Sequence, residues 1–216
     1  MTTLQKKIDF ALVLRVKHAN PNGDPLNGNR PRTDYAGLGE MTDVCLKRKL
    51  RDRLQEHGHA IFVQSDDRKT DGETSLRNRA ESDVNGLGKK PFGKGAKKED
   101  TAKAACTKWF DVRAFGQVFA FGKEGDASGV SIPIRGPVTI QSAFSKEPVS
   151  ITSTQITKSV SGEGDGSKRG SDTMGMKHRV DGECLNFCVR GGLLNWLLAE
   201  IFDVFEAPAR PPEALG

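Results

Sequence analysis

The amino-acid sequence predicts an α+β fold, a mostly antiparallel sheet with two helices on one face. Residues 8–17 alternate apolar and polar side chains, which is typical of a half-buried strand. Leu46, Leu50 and Leu54 recur at helical spacing and predict a helix with one buried stripe. Several strand-like runs then follow within 109–190, ahead of a second apolar helix. This order of elements matches ferredoxin-like folds, which leave one face of the sheet open for a ligand.

The remaining elements follow from local composition. The Asn-Gly and Asp-Pro pairs of 19–41 predict a loop without regular structure, and Thr42 is the predicted N-cap of the helix that ends at Gly58. The polar, alternately charged stretch 65–103 predicts an inserted, mobile or partner-ordered segment. Strands are predicted at 109–121, 132–140, 147–157 and 183–190. The Gly/Ser-rich stretch 159–173 predicts the tip of a long hairpin or arm, and an apolar helix is expected at 193–205.

Composition limits the class of function. The 216 residues carry a net charge of +5, which permits a polyanionic partner without proving one. No stretch is apolar enough to span a membrane and the N-terminus lacks a signal-peptide run, so we expect a cytoplasmic protein with no membrane partner. The four cysteines lack zinc-binding spacing, so neither a metal nor a cofactor is expected. Cys184 and Cys188 share one face of a predicted strand near His178, and buried free thiols are favoured there over a metal site.

Basic residues concentrate where the predicted loop enters the helix. Arg30 and Arg32 lie in the loop, and the helix carries further cations opposite its leucine stripe, at Lys47, Arg48 and Arg51. Arginine binds phosphate with two parallel hydrogen bonds and lysine binds it as a point charge, so this stretch suits a phosphate backbone. A solvated helix face is the alternative interpretation. Weaker basic sites are Arg15 and Lys17 at the end of the first strand, the turn at Arg135, and Lys177 with His178.

Signals for catalysis are weak. The glycine-rich stretch 85–98 lacks both nucleotide-binding fingerprints, and its lysines are better interpreted as solvated charge than as a phosphate cradle. No nucleophile elbow or zinc-protease motif occurs. His18, Asp24 and Tyr35 could form an acid–base set for RNA cleavage, but hydrogen bonds within their own turns are favoured. We therefore expect a protein that is not an enzyme.

Four segments, in order, resemble the Cas-seven backbone subunit of type I-C CRISPR Cascade, the Csd-two group. They are NPNGDPLNGNRPRTD with TDVCLKRKLRDRL, WFDVRAFGQVFAF, IRGPVTIQSAFSKEPVSIT and DTMGMKHRV. The resemblance implies a non-catalytic subunit that multimerises along CRISPR RNA, forms the backbone of the interference complex and holds target DNA. The implied partners are CRISPR RNA, target DNA, further copies of the chain in a filament, and Cas-five-like and large Cascade subunits. A metal-independent endoribonuclease that processes CRISPR RNA, using His18 or His178, is the alternative.

The resemblance also implies an architecture, an RNA-recognition-motif-like palm with a finger insertion and a thumb hairpin. The implied boundaries are palm at 1–59, finger-like insertion at 60–105, palm strands at 106–154, thumb hairpin at 155–182, and a palm strand, helix and tail at 183–216. The family continues beyond the match to LLNWLLAEIFDVF with another strand, whereas this chain turns into APARPPEALG. The sequence therefore predicts a C-terminally truncated member of the family.

The residue chemistry and the resemblance together give a set of expected site residues. The residues expected to bind RNA are Arg15, Lys17, Asn22, Asn27, Arg30, Arg32, Lys47, Arg48, Arg51, Arg113, Arg135, Lys177 and His178. Met174 and Met176, at the returning base of the arm, are expected to wedge into the guide–target duplex.

Overall fold

The structure is a computed structural model that describes residues 8–93, 95–121, 130–157, 173–181 and 185–193. The chain divides into two compact units. Unit 1 is formed mainly by Lys47–Thr139, and unit 2 is formed by Phe10–Leu46 together with Ile140–Arg190.

The described residues mix helices and strands, which confirms the predicted α+β class. The strands are β1 (Ile8–Val16), β2 (Gly23–Asp24), β3 (Arg30–Pro31), β4 (Leu38–Met41), β5 (Gly116–Phe121), β6 (Val130–Arg135), β7 (Val138–Ile140), β8 (Ala143–Pro148), β9 (Ser150–Thr157), β10 (Thr173–Asp181) and β11 (Leu185–Leu193). The α-helices are α1 (Asp43–Glu56), α2 (Leu76–Glu81), α3 (Lys98–Lys108) and α4 (Phe110–Phe115).

Strand β1 confirms the alternation found in the sequence. Phe10 and Leu14 are half-buried, whereas Val13 and Arg15, on either side of Leu14, are exposed. Neighbouring strands lie in the order β1, β11, β8, β4, and β8 is antiparallel to both β11 and β4. The predicted antiparallel pairing is confirmed for these strands, and the open face of the sheet stays a prediction.

The prediction that 19–41 lacks regular structure is wrong. Strands β2 and β3 form a short antiparallel hairpin, and its turn ends at Gly28 and Asn29 with φ of 57° and 60°. Asn and Gly tolerate positive φ. The Asn-Gly sequence that was expected only to prevent regular structure therefore closes a hairpin instead. Further along, β4 pairs with β8, and Gly39 N donates to Ser145 Oγ at 2.9 Å.

Helix α1 follows the sequence prediction closely. Thr42 Oγ1 accepts a hydrogen bond from Cys45 N at 3.2 Å, which is the expected N-cap. Leu46 and Leu54 are buried, with 6% and 2% of their surface exposed. Gly58, with φ of 85°, follows the last turn and accommodates the left-handed conformation that ends the helix.

The core of unit 1 is aromatic and corrects the prediction for 65–103. The ring centroids of Phe62 and Trp109 are 4.7 Å apart, and Phe119 lies 5.0 Å from Phe62 and 5.4 Å from Phe92. Phe92 comes from the stretch that was expected to be an inserted, mobile or partner-ordered segment, yet only 7% of it is exposed, which argues against a mobile segment at this residue. The stretch forms α2 and the start of α3, because apolar residues spaced too irregularly to show a period still reach a shared core.

The predicted strand at 109–121 is wrong in its first half. Phe110–Phe115 forms α4, and only Gly116–Phe121 extends as β5, which pairs with β6. A short, fully buried apolar run does not by itself distinguish strand from helix. The predicted strand 132–140 is also divided, since Gly136 separates β6 from β7. A Cβ at Gly136 would lie 2.2 Å from Ala114 O, so the backbones approach closely there.

Strands β9 and β10 confirm the predicted hairpin. They pair antiparallel from Ser150 opposite Asp181 to Thr157 opposite Thr173. The predicted arm tip, 159–172, lies outside the described residues, as do Cys184, the side chain of Cys188 and the predicted helix from 194 onward. In the described part of the chain, no helix has the length and apolar character needed to cross a membrane.

Candidate nucleic-acid interface

The Asn/Gly-rich loop of unit 2 is held by its own hydrogen bonds. Asn22 Oδ1 accepts from both the backbone N–H and the hydroxyl of Thr42, at 2.9 and 3.0 Å. Asn22 O accepts from Arg32 N at 3.0 Å, and Asn20 Nδ2 donates to Asn29 O at 2.7 Å. Asn22, expected to contact RNA, therefore has a structural role: it fixes the loop to the start of α1.

Arg30 and Arg32, which were expected to act together, have different environments in this loop. Asp24 Oδ1 accepts from Leu26 N and from Arg32 Nη2, both at 3.2 Å, so the charge of Arg32 is partly offset. Arg30 is exposed on β3, and Asn27 is exposed in the turn before it. The internal pairing of Arg32 leaves Arg30 as the cation that the loop presents most openly to a ligand.

The base of the β9–β10 hairpin meets this loop within unit 2. Val180 N donates to Ala19 O at 3.0 Å, and β10 lies alongside β3. Exposed cations flank this junction on each of the elements that form it: Lys17 just before Ala19, Arg30 on β3 and Lys177 on β10. We call these three residues the basic surface. Arg15, at the end of β1, is also exposed.

Alternate faces of the hairpin have different characters. Lys177 is opposite Thr154, and the adjacent His178 is opposite Ser153 and lies on the other face. His178 is only 8% exposed, and its Nδ1 lies 2.8 Å from Ser153 Oγ. The structure thus places His178 in packing rather than at an accessible RNA contact. Met176, on the face of His178, is 51% exposed, whereas the side chain of Met174 lies outside the described residues.

In unit 1, two of the predicted RNA-binding arginines have hydrogen-bond partners within the unit. Arg51 Nε donates to Asp111 Oδ2 at 3.0 Å, and its guanidinium lies 5.2 Å from the ring centroid of Phe115. The side chains of Arg51 and Asp111 are 15% and 1% exposed. Arg113 Nη1 donates to Cys106 O at 3.0 Å. Both arginines therefore make hydrogen bonds within unit 1, and Arg51 lies less open to a ligand than the basic cluster predicted for α1 implies, while RNA binding by either arginine stays a prediction.

Asp111 is the residue that the sequence interpretation missed. Its carboxylate also accepts from Phe62 N at 2.7 Å and from Val63 N at 3.0 Å. A single acid within the apolar run WFDVRAF was the available signal, because a buried carboxylate requires a cationic or hydrogen-bonding partner.

Other cations of α1 belong to a surface network of ion pairs. Arg48 lies 3.0 Å from Asp67 and 3.7 Å from Asp52. Hydrogen bonds from Arg68 and then Arg53 hold the pKa of Glu56 below its ordinary value. Such exposed pairs contribute little stability, but they offset the positive charge that was expected to face a ligand. Lys47 is half-buried in unit 1, and Arg135 is exposed at the end of β6.

The structure does not assemble the possible acid–base set. Asp24 is bonded within its own turn, Tyr35 lies in a different turn, and His18 is exposed with φ of 48°. Hydrogen bonds within turns were the favoured alternative, and Asp24 shows them. In the described part of the chain, no group of three or more His, Cys, Asp or Glu residues is arranged to hold a metal ion.

An α+β protein whose loop and hairpin base present exposed cations on neighbouring segments is suited to a polyanion such as nucleic acid. The family model described as CRISPR-associated protein Cas7 matches residues 6–188, and the chain belongs to this family. The resemblance to Cas-seven proteins is thereby confirmed, and the assignment to type I-C stays a prediction.

Comparison with known proteins gives a curated relative and a solved structure to which the chain is similar. A CRISPR-associated protein Cas7 from Haloferax volcanii is 39% identical over 122 residues, which cover 56% of this chain and 34% of the relative. The chain thus spans about a third of the length of that relative. A solved chain titled "CRISPR RNA-guided surveillance complex, pre-nicking" is 16% identical, with a TM-score of 0.45 and coverage of 92% of this chain and 63% of that one.

Proposed function

We propose that the chain is a non-catalytic subunit that binds CRISPR RNA through unit 2. The observation that carries the proposal is the junction between Ala19 and Val180, because the segments that meet there, with β3 alongside, carry the exposed cations Lys17, Arg30 and Lys177. Membership of the Cas7 family supports CRISPR RNA as the polyanion in question.

The proposed binding is tolerant of RNA sequence. Cations that contact phosphates position the chain on RNA without reading bases. Each phosphate contact on a single strand contributes about −0.7 to the slope of log affinity against log salt, so the basic surface should contribute about −2.

The finer proposal follows the family. Copies of the chain multimerise along CRISPR RNA in a type I-C Cascade, beside Cas-five-like and large subunits in the cytoplasm, and hold target DNA. Unit 2 would supply an RNA-recognition-motif-like palm, and the β9–β10 hairpin would be the thumb. The 51% exposed Met176 is compatible with a wedge into the guide–target duplex.

Charge reversal at the basic surface tests RNA binding. Arg30→Glu combined with Lys177→Glu should weaken binding of a repeat-containing RNA by 10- to 100-fold, an order-of-magnitude expectation, and make the salt slope shallower by about 1.4. Fluorescence anisotropy across a salt series measures both quantities. Lys89→Glu with Lys98→Glu, at exposed positions of unit 1, is the matched control. Equal losses in the two double variants would show that total charge, and not the basic surface, controls binding.

The non-catalytic part of the proposal has a separate test. Purified protein should leave repeat-containing RNA intact during prolonged incubation, with or without a chelator. Cleavage that is lost in His18→Ala would contradict the proposal and favour the endoribonuclease alternative.

A further inference from the structure

Tyr35 lies in a turn whose backbone is fixed on both sides. Asp34 Oδ1 accepts from Ala36 N at 2.9 Å and from Leu38 N at 2.8 Å. Gly37 N donates to Asp34 O at 3.1 Å, and Gly37 O accepts from Val149 N at 2.9 Å. The turn is therefore tied both to itself and to the link between β8 and β9.

The ring of Tyr35 is wholly exposed on this rigid support, with a relative accessibility of 113%. Isolated exposed rings are common on protein surfaces, so exposure alone carries no argument. Here the backbone that carries the aromatic ring is held by hydrogen bonds, and Tyr35 follows shortly after β3, the strand that contains Arg30. Glu40 N donates to Arg32 O at 2.9 Å, and Thr33 pairs with Gly39, so the turn continues the backbone ladder that starts near β3.

Arg30 and Tyr35 are five residues apart, and an extended chain of that length spans at most about 18 Å. One short RNA strand can reach both residues. Proteins that bind single-stranded nucleic acid combine phosphate-binding cations with aromatic rings on which bases stack. The cation and the ring occur here on one continuous, hydrogen-bonded piece of unit 2.

We propose that Tyr35 is a stacking platform for an unpaired base of the RNA whose phosphates contact Arg30. This inference rests on the proposed function and adds a base contact to it. Stacking needs only the face of a base, so the contact preserves sequence tolerance while adding affinity. The hydroxyl of Tyr35 is not required, because the ring supplies the interaction.

Three variants of the full chain test the role of the ring. Tyr35→Ala should bind single-stranded repeat RNA about 5- to 150-fold more weakly than the wild type. Tyr35→Phe should retain the wild-type affinity, since it keeps the ring. Val84→Ala, at an apolar residue of unit 1 that is 85% exposed, is the control for loss of an exposed apolar side chain. Circular dichroism verifies that each variant is folded.

The RNA provides the second arm of the experiment. With an abasic RNA of equal length, the wild type and Tyr35→Ala should bind equally, because no base remains to stack. Tyr35 is the single tyrosine of the chain, so labelling with 3-fluorotyrosine yields one fluorine resonance. That resonance should shift when intact RNA is added and shift much less with abasic RNA.

The outcomes separate the two proposals. If the wild type binds RNA and Tyr35→Ala binds it equally well, the stacking inference is wrong while the proposed function stands. A loss of affinity in Tyr35→Ala that is the same for abasic RNA also overturns stacking. If the wild type binds no RNA, the proposed function fails and the stacking inference fails with it.

Discussion

Replacing Arg51 with methionine should destabilise unit 1 and leave RNA affinity unchanged. Arg51 carries the only cationic group that the described residues place against the carboxylate of Asp111, at 3.0 Å. Removing one partner of a buried pair leaves an uncompensated charge and costs about 3–5 kcal/mol. Asp111 keeps its hydrogen bonds from Phe62 N and Val63 N, which places the expected cost near the lower end, about 3 kcal/mol. For a chain of this size the midpoint of thermal unfolding should fall by about 6–12 °C.

Thermal unfolding and RNA titration measure the two effects on the same preparation. Lys49→Met is the matched control, because Lys49 is an exposed cation on the same helix, α1. The control should change stability by less than about 0.5 kcal/mol. An unchanged unfolding midpoint in Arg51→Met, together with a tenfold or greater loss of RNA affinity, would refute the structural role and restore Arg51 as an RNA contact.

Two further predictions concern the stability of unit 1. Hydrogen bonds from Arg79 hold the pKa of the Asp71 carboxyl below its ordinary value. The charged form therefore contributes stability above the ordinary pKa of an aspartate, and this stability is lost as the pH falls through the folded pKa. Asp71→Asn should therefore lower the unfolding midpoint at neutral pH, with the difference from wild type closing below about pH 4; a difference that does not vary with pH would contradict this. Gly136→Ala would place its Cβ 2.2 Å from Ala114 O, so we expect it to lower the free energy of unfolding in urea by about 1–3 kcal/mol. In the control Gly93→Ala, the added Cβ would lie 3.4 Å from its nearest neighbour, Lys90 O, so the free energy of unfolding should fall clearly less.

Elements with a strong local pattern were predictable from the sequence. The alternation in β1, the capped amphipathic α1 and the β9–β10 hairpin each carry their own signal within a few residues. The helix α4 was not predictable in this way, because four of its six residues are buried and a largely buried apolar segment shows no clear helical period. Segment 65–103 was misjudged because Phe92 gains its apolar contacts from distant residues such as Phe119.

Within the candidate site, too, features set by local sequence were predictable and features set by distant partners were not. Exposed cations such as Arg30 and Lys177 could be recognised from charge and turn composition alone. The ion pair between Arg51 and Asp111 could not be recognised from the sequence, because 60 residues separate the two partners. The hydrogen bond from Thr42 to Asn22, which is 20 residues away, was not predictable for the same reason. Local patterns indicate which side chains suit RNA, whereas tertiary partners decide which of them remain available.

The most direct test of the central claim is the amount of RNA recovered with the chain after co-expression with a CRISPR array. Wild-type protein purified at moderate salt should retain RNA of guide length, measured by nucleic-acid absorbance and by sequencing. The variant with Arg30→Glu and Lys177→Glu should be folded and retain little RNA. Wild-type protein that is folded yet free of RNA, or a double variant that retains as much RNA as the wild type, would contradict the account.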